Sequence, residues 1–314
     1  MGLLEYKYKG KLGYFFTNIA YEIYRFLKYY RVNDISYLYK KFQNMQGYPL
    51  HLEEPKSLNE KLQWLKLYDR RPIYTTLADK YGVRNYIREE FGEDLLIPLL
   101  YDTTDYKNIV PENLPDEPFI LKANHDSGSF VIVRDKSKID WKKVQVDCRW
   151  WLSKNYYWID REWQYKEIQP RIIVEKLLMD KNGKIPNDYK LHCINGKVEF
   201  IYVAVDREGS NKRNIYDSRW NPLPFTFAHK FKDTSKLRGS EIQAPETLKR
   251  MIELSEKMAE LFAYVRIDFY DVDGVLYFGE ITQCHGGGFD QMRPIEWDYK
   301  YGDLLQTSFS AGTC

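Results

Sequence analysis

The chain has 314 residues, 44% of them hydrophobic and 29% charged, with a formal net charge of +2 at neutral pH. This composition indicates a folded protein with a sizeable core and excludes a disordered chain. The weak net charge and the lack of a basic block argue against nucleic acid as the main partner. No apolar run approaches the roughly 18 residues of a membrane span. The four cysteines lack metal-ligand spacing and indicate free thiols in the cytoplasm.

The first 56 residues are expected to form a basic, tyrosine-rich helical extension. Apolar residues recur there at helical spacing: Phe15, Ile19, Ile23, Phe26 and Leu27. One interpretation is an amphipathic helix that makes a peripheral contact with an anionic membrane, at its inner face. The other is a helix packed on the main body with a solvated basic face. We favour packing, because tyrosines interrupt the apolar face.

Residues 57–116 are expected to be largely helical. Ser57–Glu60 has the sequence of a capping box and predicts a helix start. A second helix is predicted from Ala78 to Phe91, with Lys80 in its first turn and a glycine at its end. Leu95–Leu100 reads as a short strand, and the polar stretch up to residue 116 as a boundary.

Residues 117–174 contain two apolar strands around a loop of small residues. Phe119–Lys122 and Phe130–Val133 are the strands, and Asn124–Ser129 is the loop. Backbone N–H groups in such a loop can bind phosphate, and a lysine at the strand end can reach it. The alternative is an ordinary hairpin with a surface lysine. Arg171–Leu178 follows as an apolar strand that ends in Glu-Lys.

Residues 175–314 include a second hairpin that carries two acidic residues. Asp273-Gly274 is a strong turn signal between two strands, so Asp268 and Glu280 are expected to lie side by side. Two carboxylates among apolar neighbours need a shared cation, and hard oxygen ligands suit Mg²⁺. The alternative is an acidic pair on a solvated hairpin face. The triple glycine Gly286–Gly288 follows, where backbone can approach a ligand closely.

The hairpin resembles the metal-binding signature of ATP-grasp ligases, with an Arg-x-Asp strand at Arg266 and Asp268 followed by an acidic strand at Glu280. Thr282 stands where that family usually has Asn. Together with the preceding segments, residues 58–305 are similar to the TupA-like ATP-grasp family. The resemblance implies an α+β fold in which two α+β lobes clasp ATP: a small lobe over residues 117–174 with a phosphate lid, and a C-terminal lobe over residues 175–314 with the metal site.

The resemblance also assigns roles to individual residues. The metal ligands would be Asp268, Glu280 and Thr282. The nucleotide would contact Lys80, Lys122, Ser127, Gly128, Ser129, Glu175, Lys176, Leu178 and Asp188. The catalytic residues would be Arg266, which stabilises the oxyanion, and Lys122 and Lys190, which steady the leaving ADP. The substrate would contact Arg207, Arg213, Gly286, Gly287 and Gly288.

The implied activity is that of a carboxylate–amine ligase that uses ATP and Mg²⁺ and forms an acylphosphate. Its substrates would be a uronic acid or amino acid carboxylate and an amine, in the biosynthesis of a cell-surface polysaccharide or capsule. A kinase that phosphorylates a sugar hydroxyl needs the same ATP and metal site and is the alternative. A non-catalytic scaffold of capsule assembly is a third hypothesis, and the presence of Lys122, Asp268 and Glu280 argues against it.

Overall fold

A computed structural model describes residues 3–229 and 234–306. The remaining residues belong to the predicted N-terminal extension and C-terminal lobe and lie outside the described part. The helices are α1 Gly10–Arg25, α2 Asp34–Gln46, α3 Leu58–Tyr68, α4 Ile73–Ala78, α5 Val83–Phe91, α6 Trp141–Leu152, α7 Tyr157–Asp160, α8 Leu248–Ala259 and α9 Glu296–Leu304. The strands are β1 Leu99–Thr103, β2 Phe119–Ala123, β3 Phe130–Val133, β4 Ile172–Lys176, β5 Asp188–Ile194, β6 Lys197–Val205, β7 Lys212–Tyr216, β8 Thr226–Ala228, β9 Tyr264–Val272, β10 Val275–Thr282 and β11 Gln291–Arg293.

The small lobe is built on an antiparallel sheet with the strand order β1-β4-β2-β3. In β2 the residues Phe119 and Leu121 are buried against the helix side, whereas Ile120 and Lys122 point to the opposite face. Because β1 pairs with β4, this sheet begins before the predicted lobe boundary at residue 117. The strand predicted at Leu95–Leu100 is shifted towards the C-terminus, since a 3₁₀ turn occupies residues 93–95.

The large lobe is built on a five-stranded antiparallel sheet with the order β10-β9-β5-β6-β7. One face of it packs against the amphipathic helix α8. Met251, Leu254 and Met258 of α8 form a buried core with Ile267 and Phe269 of β9. The opposite face carries the charged residues of β5, β9 and β10, so the apolar core fixes which side chains face the cleft.

A β-bulge in β10 decides the direction of Glu280. Phe278 pairs with Phe269, but the register then shifts, and Glu280 rather than Gly279 lies opposite Asp268. Regular alternation would have placed Glu280 on the same face as Phe278, towards α8. A Cβ on Gly279 would lie 3.0 Å from the backbone oxygen of Asp268, so a residue without a side chain suits the bulge.

The helices that precede the small lobe pack on the large lobe. The predicted capping box is present, because Ser57 accepts from the backbone N–H of Glu60 and the Glu60 carboxylate accepts from that of Ser57. The single helix predicted from Ala78 to Phe91 is wrong, since α4 ends at Ala78 and α5 begins at Val83. The break exposes Lys80 to the space between the sheets.

The N-terminal extension is helical, as the sequence predicts, with a π-helical turn at Phe26–Tyr30 after α1. The helix contacts the small lobe through aromatic rings, with the ring centroids of Tyr21 and Trp150 4.9 Å apart. The prediction that its apolar face packs on the body is wrong, however, because the apolar residues of that face are exposed. They are Phe15, Phe16, Ile19, Ile23, Phe26 and Leu27. Across residues 3–229 and 234–306, no helix is long and apolar enough to cross a membrane.

Candidate active site

A cavity of about 570 Å³ lies between the two sheets, within the size range of small-molecule sites. The predicted ligand residues that line it are Lys80, Lys122, Gly128, Ser129, Glu175, Lys176, Leu178, Asp188, Lys190, Arg207, Asp268 and Glu280. They come from seven separate stretches of the chain. The fold therefore brings together residues that the sequence analysis selected one segment at a time.

The small-lobe side of the cavity has an apolar lining. Ile97, Ile120 and Ile132 contribute to it, together with the leucines that follow β4. The sequence analysis did not select the isoleucines, although alternation along β2 turns Ile120 to the same face as Lys122. This apolar lining lies next to Glu175, Lys176 and Leu178, which are predicted to contact the nucleotide.

The carboxylate of Glu175 forms ion pairs with two basic side chains. Lys122 Nζ lies 2.6 Å from Glu175 Oε2, and Arg84 Nη1 lies 3.0 Å from Glu175 Oε1. Arg84 also donates to the carbonyl oxygen of Ile97 at 2.8 Å. Arg84 was not among the predicted site residues, although it follows Lys80 by four residues. It contacts Glu175 from α5.

Three charged residues lie in a row on the floor of the cavity, one each from β10, β9 and β5. The Cα partners run from Glu280 on β10 to Asp268 on β9, Lys190 on β5 and Tyr202 on β6. Lys190 Nζ lies 2.5 Å from Asp268 Oδ2 and 2.6 Å from Asp188 Oδ2. Burial opposes the charged lysine, but the two aspartates outweigh it and raise the pKa of Lys190.

Arg266 holds the two acidic residues from behind. Its Nε and Nη2 donate to the two oxygens of Asp268 at 2.7 and 2.8 Å, and Nη2 also donates to Glu280 Oε1 at 2.5 Å. The guanidinium is buried and is not part of the cavity lining. The structure thus brings Arg266 to the acidic pair, where it orients both carboxylates, and its oxyanion role stays a prediction.

The acidic pair fits a divalent cation that is shared with phosphate oxygens. Burial alone would raise the pKa of Glu280, yet the neighbouring Lys80, Arg266 and Lys190 lower it strongly, so the carboxylate stays ionised. In the part of the chain that the structure describes, no cluster of three or more His, Cys, Asp or Glu could hold a metal. Two carboxylates plus ligand phosphates and water match the way Mg²⁺ binds in nucleotide sites.

Thr282 lies beside the pair and contacts only one member of it. Its hydroxyl donates to Glu280 Oε1 at 3.1 Å, and the residue is not part of the cavity lining. The structure therefore places Thr282 as a hydrogen-bond donor that orients Glu280, and its predicted role as a third metal ligand has no support in this geometry.

The predicted phosphate lid divides into a fixed half and an exposed half. Asn124 is buried, donates to Asp79 Oδ1 at 2.7 Å and accepts from the backbone N–H of Arg171 at 2.7 Å. His125 and Asp126 are buried as well. Residues 127–130 are more exposed, so we expect this half of the loop to be the part that moves.

Hydrogen exchange should show this division. We expect the amide of Asn124, which donates to the Arg171 carbonyl oxygen at 3.0 Å, to exchange slowly without nucleotide. The amides of residues 127–130 should exchange fast and slow down when ATP is added, because phosphate would accept from them. Equal exchange across residues 124–130 in the free protein, measured by mass spectrometry, would contradict this division.

Two residues of the triple glycine, Gly287 and Gly288, contact helix α3. Its residues have φ values of 55, 62 and 70°, which favour glycine. The carbonyl oxygen of Gly287 accepts from Lys66 Nζ at 2.7 Å, and that of Gly288 accepts from Gln63 Nε2 at 2.7 Å. A Cβ on Gly288 would lie 2.4 Å from the same nitrogen. The backbone of Gly287 and Gly288 therefore lies close to α3, and the substrate role of Gly286–Gly288 stays a prediction.

Arg213 lines a second cavity, of about 400 Å³. Arg238 and Arg293 are part of the same lining, with the apolar ring of Phe225. Arg213 is the Cα partner of Ala204, which in turn is the partner of Asp188. The arginine therefore lies on the same face of the large sheet as the charged row, but towards the β7 edge, whereas Arg207 lines the main cavity.

His285 contacts the back of the charged site. Its Nδ1 accepts from Arg266 Nη1 at 2.9 Å, which requires an unprotonated Nδ1, and its Nε2 lies 3.3 Å from Asp290 Oδ2. Burial, aided by the Arg266 charge, lowers the pKa of His285 from 6.5 to about 4, although Asp290 opposes this.

The lowered pKa predicts acid sensitivity. Between about pH 6.5 and 4 the unfolded chain binds a proton that the folded His285 does not, so stability falls as the pH falls through this window. The loss should reach roughly 3 kcal/mol below pH 4. In His285→Gln the amide oxygen can still accept from Arg266, and urea unfolding should show a flatter dependence on pH. The same slope in both proteins would contradict the assignment.

The cavity between the two antiparallel sheets has an apolar lining on one side, and lysines and an acidic pair on the other. These features define a two-lobed nucleotide-binding protein of the ATP-grasp type. The family model described as TupA-like ATPgrasp matches residues 60–306. The chain therefore belongs to the TupA-like ATP-grasp family. The described cysteines, Cys148, Cys193 and Cys284, are free thiols, as expected.

Several solved ATP-grasp ligases are similar in fold. D-alanine–D-alanine ligase from Bacillus anthracis is 15% identical over 66% of this chain and 57% of its own, with a TM-score of 0.37. The enzyme from Helicobacter pylori is 15% identical over 79% and 69%, with a TM-score of 0.41. The ligase PsnB, in a complex with a precursor variant, Mg and ADP, is 12% identical over 79% and 65%, with a TM-score of 0.41. The match spans less than two thirds of the Bacillus anthracis ligase. A comparison with curated proteins found no match.

Proposed function

We propose that the protein is an ATP-dependent carboxylate–amine ligase. The observation that carries this proposal is the row of Glu280, Asp268 and Lys190 on the cavity floor, opposite Lys122 of the small lobe. Acids that hold a cation and lysines that face the same space are what a polyphosphate requires. Adenine would lie against the isoleucine lining beside Glu175–Leu178.

Three of the four lysines in the cavity lining lie within 2.6 Å of an oxygen of the protein. Lys80 Nζ donates to the carbonyl oxygen of Asp126 at 2.6 Å, and Lys122 and Lys190 form the ion pairs given above. ATP phosphates would compete for these donors without any need to move the backbone. Asp188 Oδ1 is a buried acceptor without a hydrogen-bond partner among the described residues, and a ribose hydroxyl would supply the missing donor.

The proposed reaction has two steps. A carboxylate oxygen of the acceptor attacks the γ-phosphorus of ATP, the bond to the β–γ bridging oxygen breaks, and ADP leaves. An amine nitrogen then attacks the acyl carbon, phosphate leaves, and the amine proton passes to solvent. Lys80, Lys122 and Lys190 would balance phosphate charge in the first step. Mg²⁺ held by Asp268 and Glu280 would supply further neutralisation of the phosphates.

The second cavity supports an acidic acceptor. Arg293 donates to the neutral Oε1 of Gln291 at 3.0 Å, so that contact leaves its charge uncompensated. Arg238 has Glu241 at 3.8 Å, and both side chains are exposed. Three arginines on the cavity wall favour a substrate with a carboxylate or phosphate besides the reacting group. A uronic acid or amino acid residue of a cell-surface polysaccharide precursor has this chemistry.

The direct test is ADP release from ATP and Mg²⁺ in the presence of uronic acids and acidic amino acids, each with and without amines. A ligase should release free phosphate only when an amine is present, and mass spectrometry should show an amide product. The main alternative, an ATP-dependent sugar kinase, would give ADP and a phosphorylated sugar without free phosphate or any dependence on amine.

Arg293→Met should separate acceptor binding from ATP binding. We expect the KM for the acidic acceptor to rise roughly tenfold, since a charge-assisted hydrogen bond contributes about 1.5 kcal/mol or more. ATP affinity should not change, because Arg293 does not line the main cavity. Arg219→Met, an exposed arginine outside both cavities, is the matched control. An unchanged KM for the acceptor would remove the second cavity from the proposal.

A further inference from the structure

The N-terminal helix carries a continuous apolar stripe that the rest of the chain does not cover. The exposed residues of this stripe are Leu12, Phe15, Phe16, Ile19, Ile23, Phe26 and Leu27. At 3.6 residues per turn they fall within an arc of about 120°. Leu12 is 69% and Phe16 59% exposed, and such a patch of large apolar side chains indicates an interaction surface.

The opposite side of the same helix is attached to the small lobe. Tyr14 and Tyr29 are buried, and Tyr21 packs on Trp150. Arg161, also buried, donates to the carbonyl oxygen of Tyr29 at 2.6 Å and fixes the end of the π-helical turn. Because the tyrosine face of the helix packs on the small lobe, a partner cannot surround the helix. A flat surface can still contact the apolar stripe.

The charges beside the stripe are almost all positive. Lys9 and Lys11 lie at its start, and Lys28 and Arg31 at its end, and all four are exposed. The single acid between them in the sequence, Glu22, is paired with Arg25 at 2.8 Å. A symmetric contact between two copies would bring these like charges together. An anionic lipid surface complements both the charges and the apolar stripe.

We propose that α1 and the turn Phe26–Tyr30 bind in the plane of a membrane that contains anionic lipids. The stripe enters the headgroup region, and the lysines and arginine meet lipid phosphates. The helix lies on the membrane and does not span it. This attachment is independent of the proposed ligase reaction.

The test is cosedimentation with vesicles of phosphatidylcholine alone or mixed with phosphatidylglycerol. The protein should bind the mixed vesicles, and salt should weaken binding. Ile19→Asp should lose roughly tenfold or more of the vesicle affinity, because it places a charge in the apolar stripe. Ile73→Asp is the matched control, since both isoleucines are helical and 40% exposed, and it should bind like the original protein.

Charge variants test the electrostatic part. Lys11→Gln and Arg31→Gln should each lose roughly fivefold in affinity for the mixed vesicles. Melting temperature and ATP affinity should stay unchanged in all these variants, which separates this proposal from the ligase reaction. Equal binding by Ile19→Asp and Ile73→Asp would overturn the proposal. The proposal would also be overturned if the protein did not bind the mixed vesicles and instead formed a stable dimer that Ile19→Asp dissociates.

Discussion

Arg266→Ala should lower thermal stability, ATP affinity and turnover together. The guanidinium is buried and bonded to Asp268, Glu280 and His285. Its removal would leave two carboxylates next to each other without the charge that separates them. Breaking a buried ion pair from one side costs about 3–5 kcal/mol, a large part of the stability of a protein of this kind.

An oxyanion role for Arg266, which the family resemblance implies, makes a different prediction. ATP affinity and melting temperature would then survive, and only kcat would fall. Calorimetry and thermal unfolding therefore decide between the two roles. Arg250→Ala, an exposed arginine on α8 with Glu253 at 3.8 Å, is the control and should change stability by about 1 kcal/mol or less. Arg266→Lys keeps one charge and should give intermediate losses if the alanine variant does not fold.

Local signals in the sequence predict much of the fold. The capping box at Ser57 and the Asp273-Gly274 turn both occur in the structure as expected. Each depends on a few neighbouring residues whose backbone preferences are strong, such as a positive φ at glycine. The same is true of β2 and β3, whose alternation predicts both the strands and the direction of Lys122.

Features that depend on distant contacts could not be predicted from the sequence. Gly279 forms a bulge because its neighbour strand leaves no room for a side chain, and nothing in the local pattern distinguishes it from a regular strand residue. The triple glycine approaches Gln63 and Lys66, which are more than two hundred residues away in sequence. A glycine in the sequence indicates that the backbone can approach another group closely. The tertiary structure is needed to identify that group, here the side chains of α3.

The N-terminal helix illustrates the limit of a periodic pattern. The spacing of Phe15, Ile19 and Ile23 predicts one apolar face, but it does not say what covers that face. The structure uses the tyrosines for packing and leaves the aliphatic residues exposed. The tyrosines that interrupt the apolar pattern in the sequence therefore form the contact with the body.

Asp268→Asn and Glu280→Gln should abolish most turnover while the protein stays folded. Each change preserves shape and removes one of the two charges that would hold the cation. Mg²⁺-dependent ATP affinity and kcat should fall together. We expect turnover to drop by roughly a hundredfold or more, because neutralisation of the phosphates by the metal contributes several kcal/mol.

Asp273→Asn, in the turn of the same hairpin, is the matched control for these two variants. Asp273 has a φ of 51°, which Asn tolerates, and the amide oxygen can still accept from the backbone N–H of Lys181. ATP affinity measured with and without Mg²⁺ isolates the metal contribution, since loss confined to the Mg²⁺ condition assigns the acids to the cation. If Asp268→Asn and Glu280→Gln turned over like Asp273→Asn, the charged row would be structural, and the ligase proposal would lose the observation that carries it.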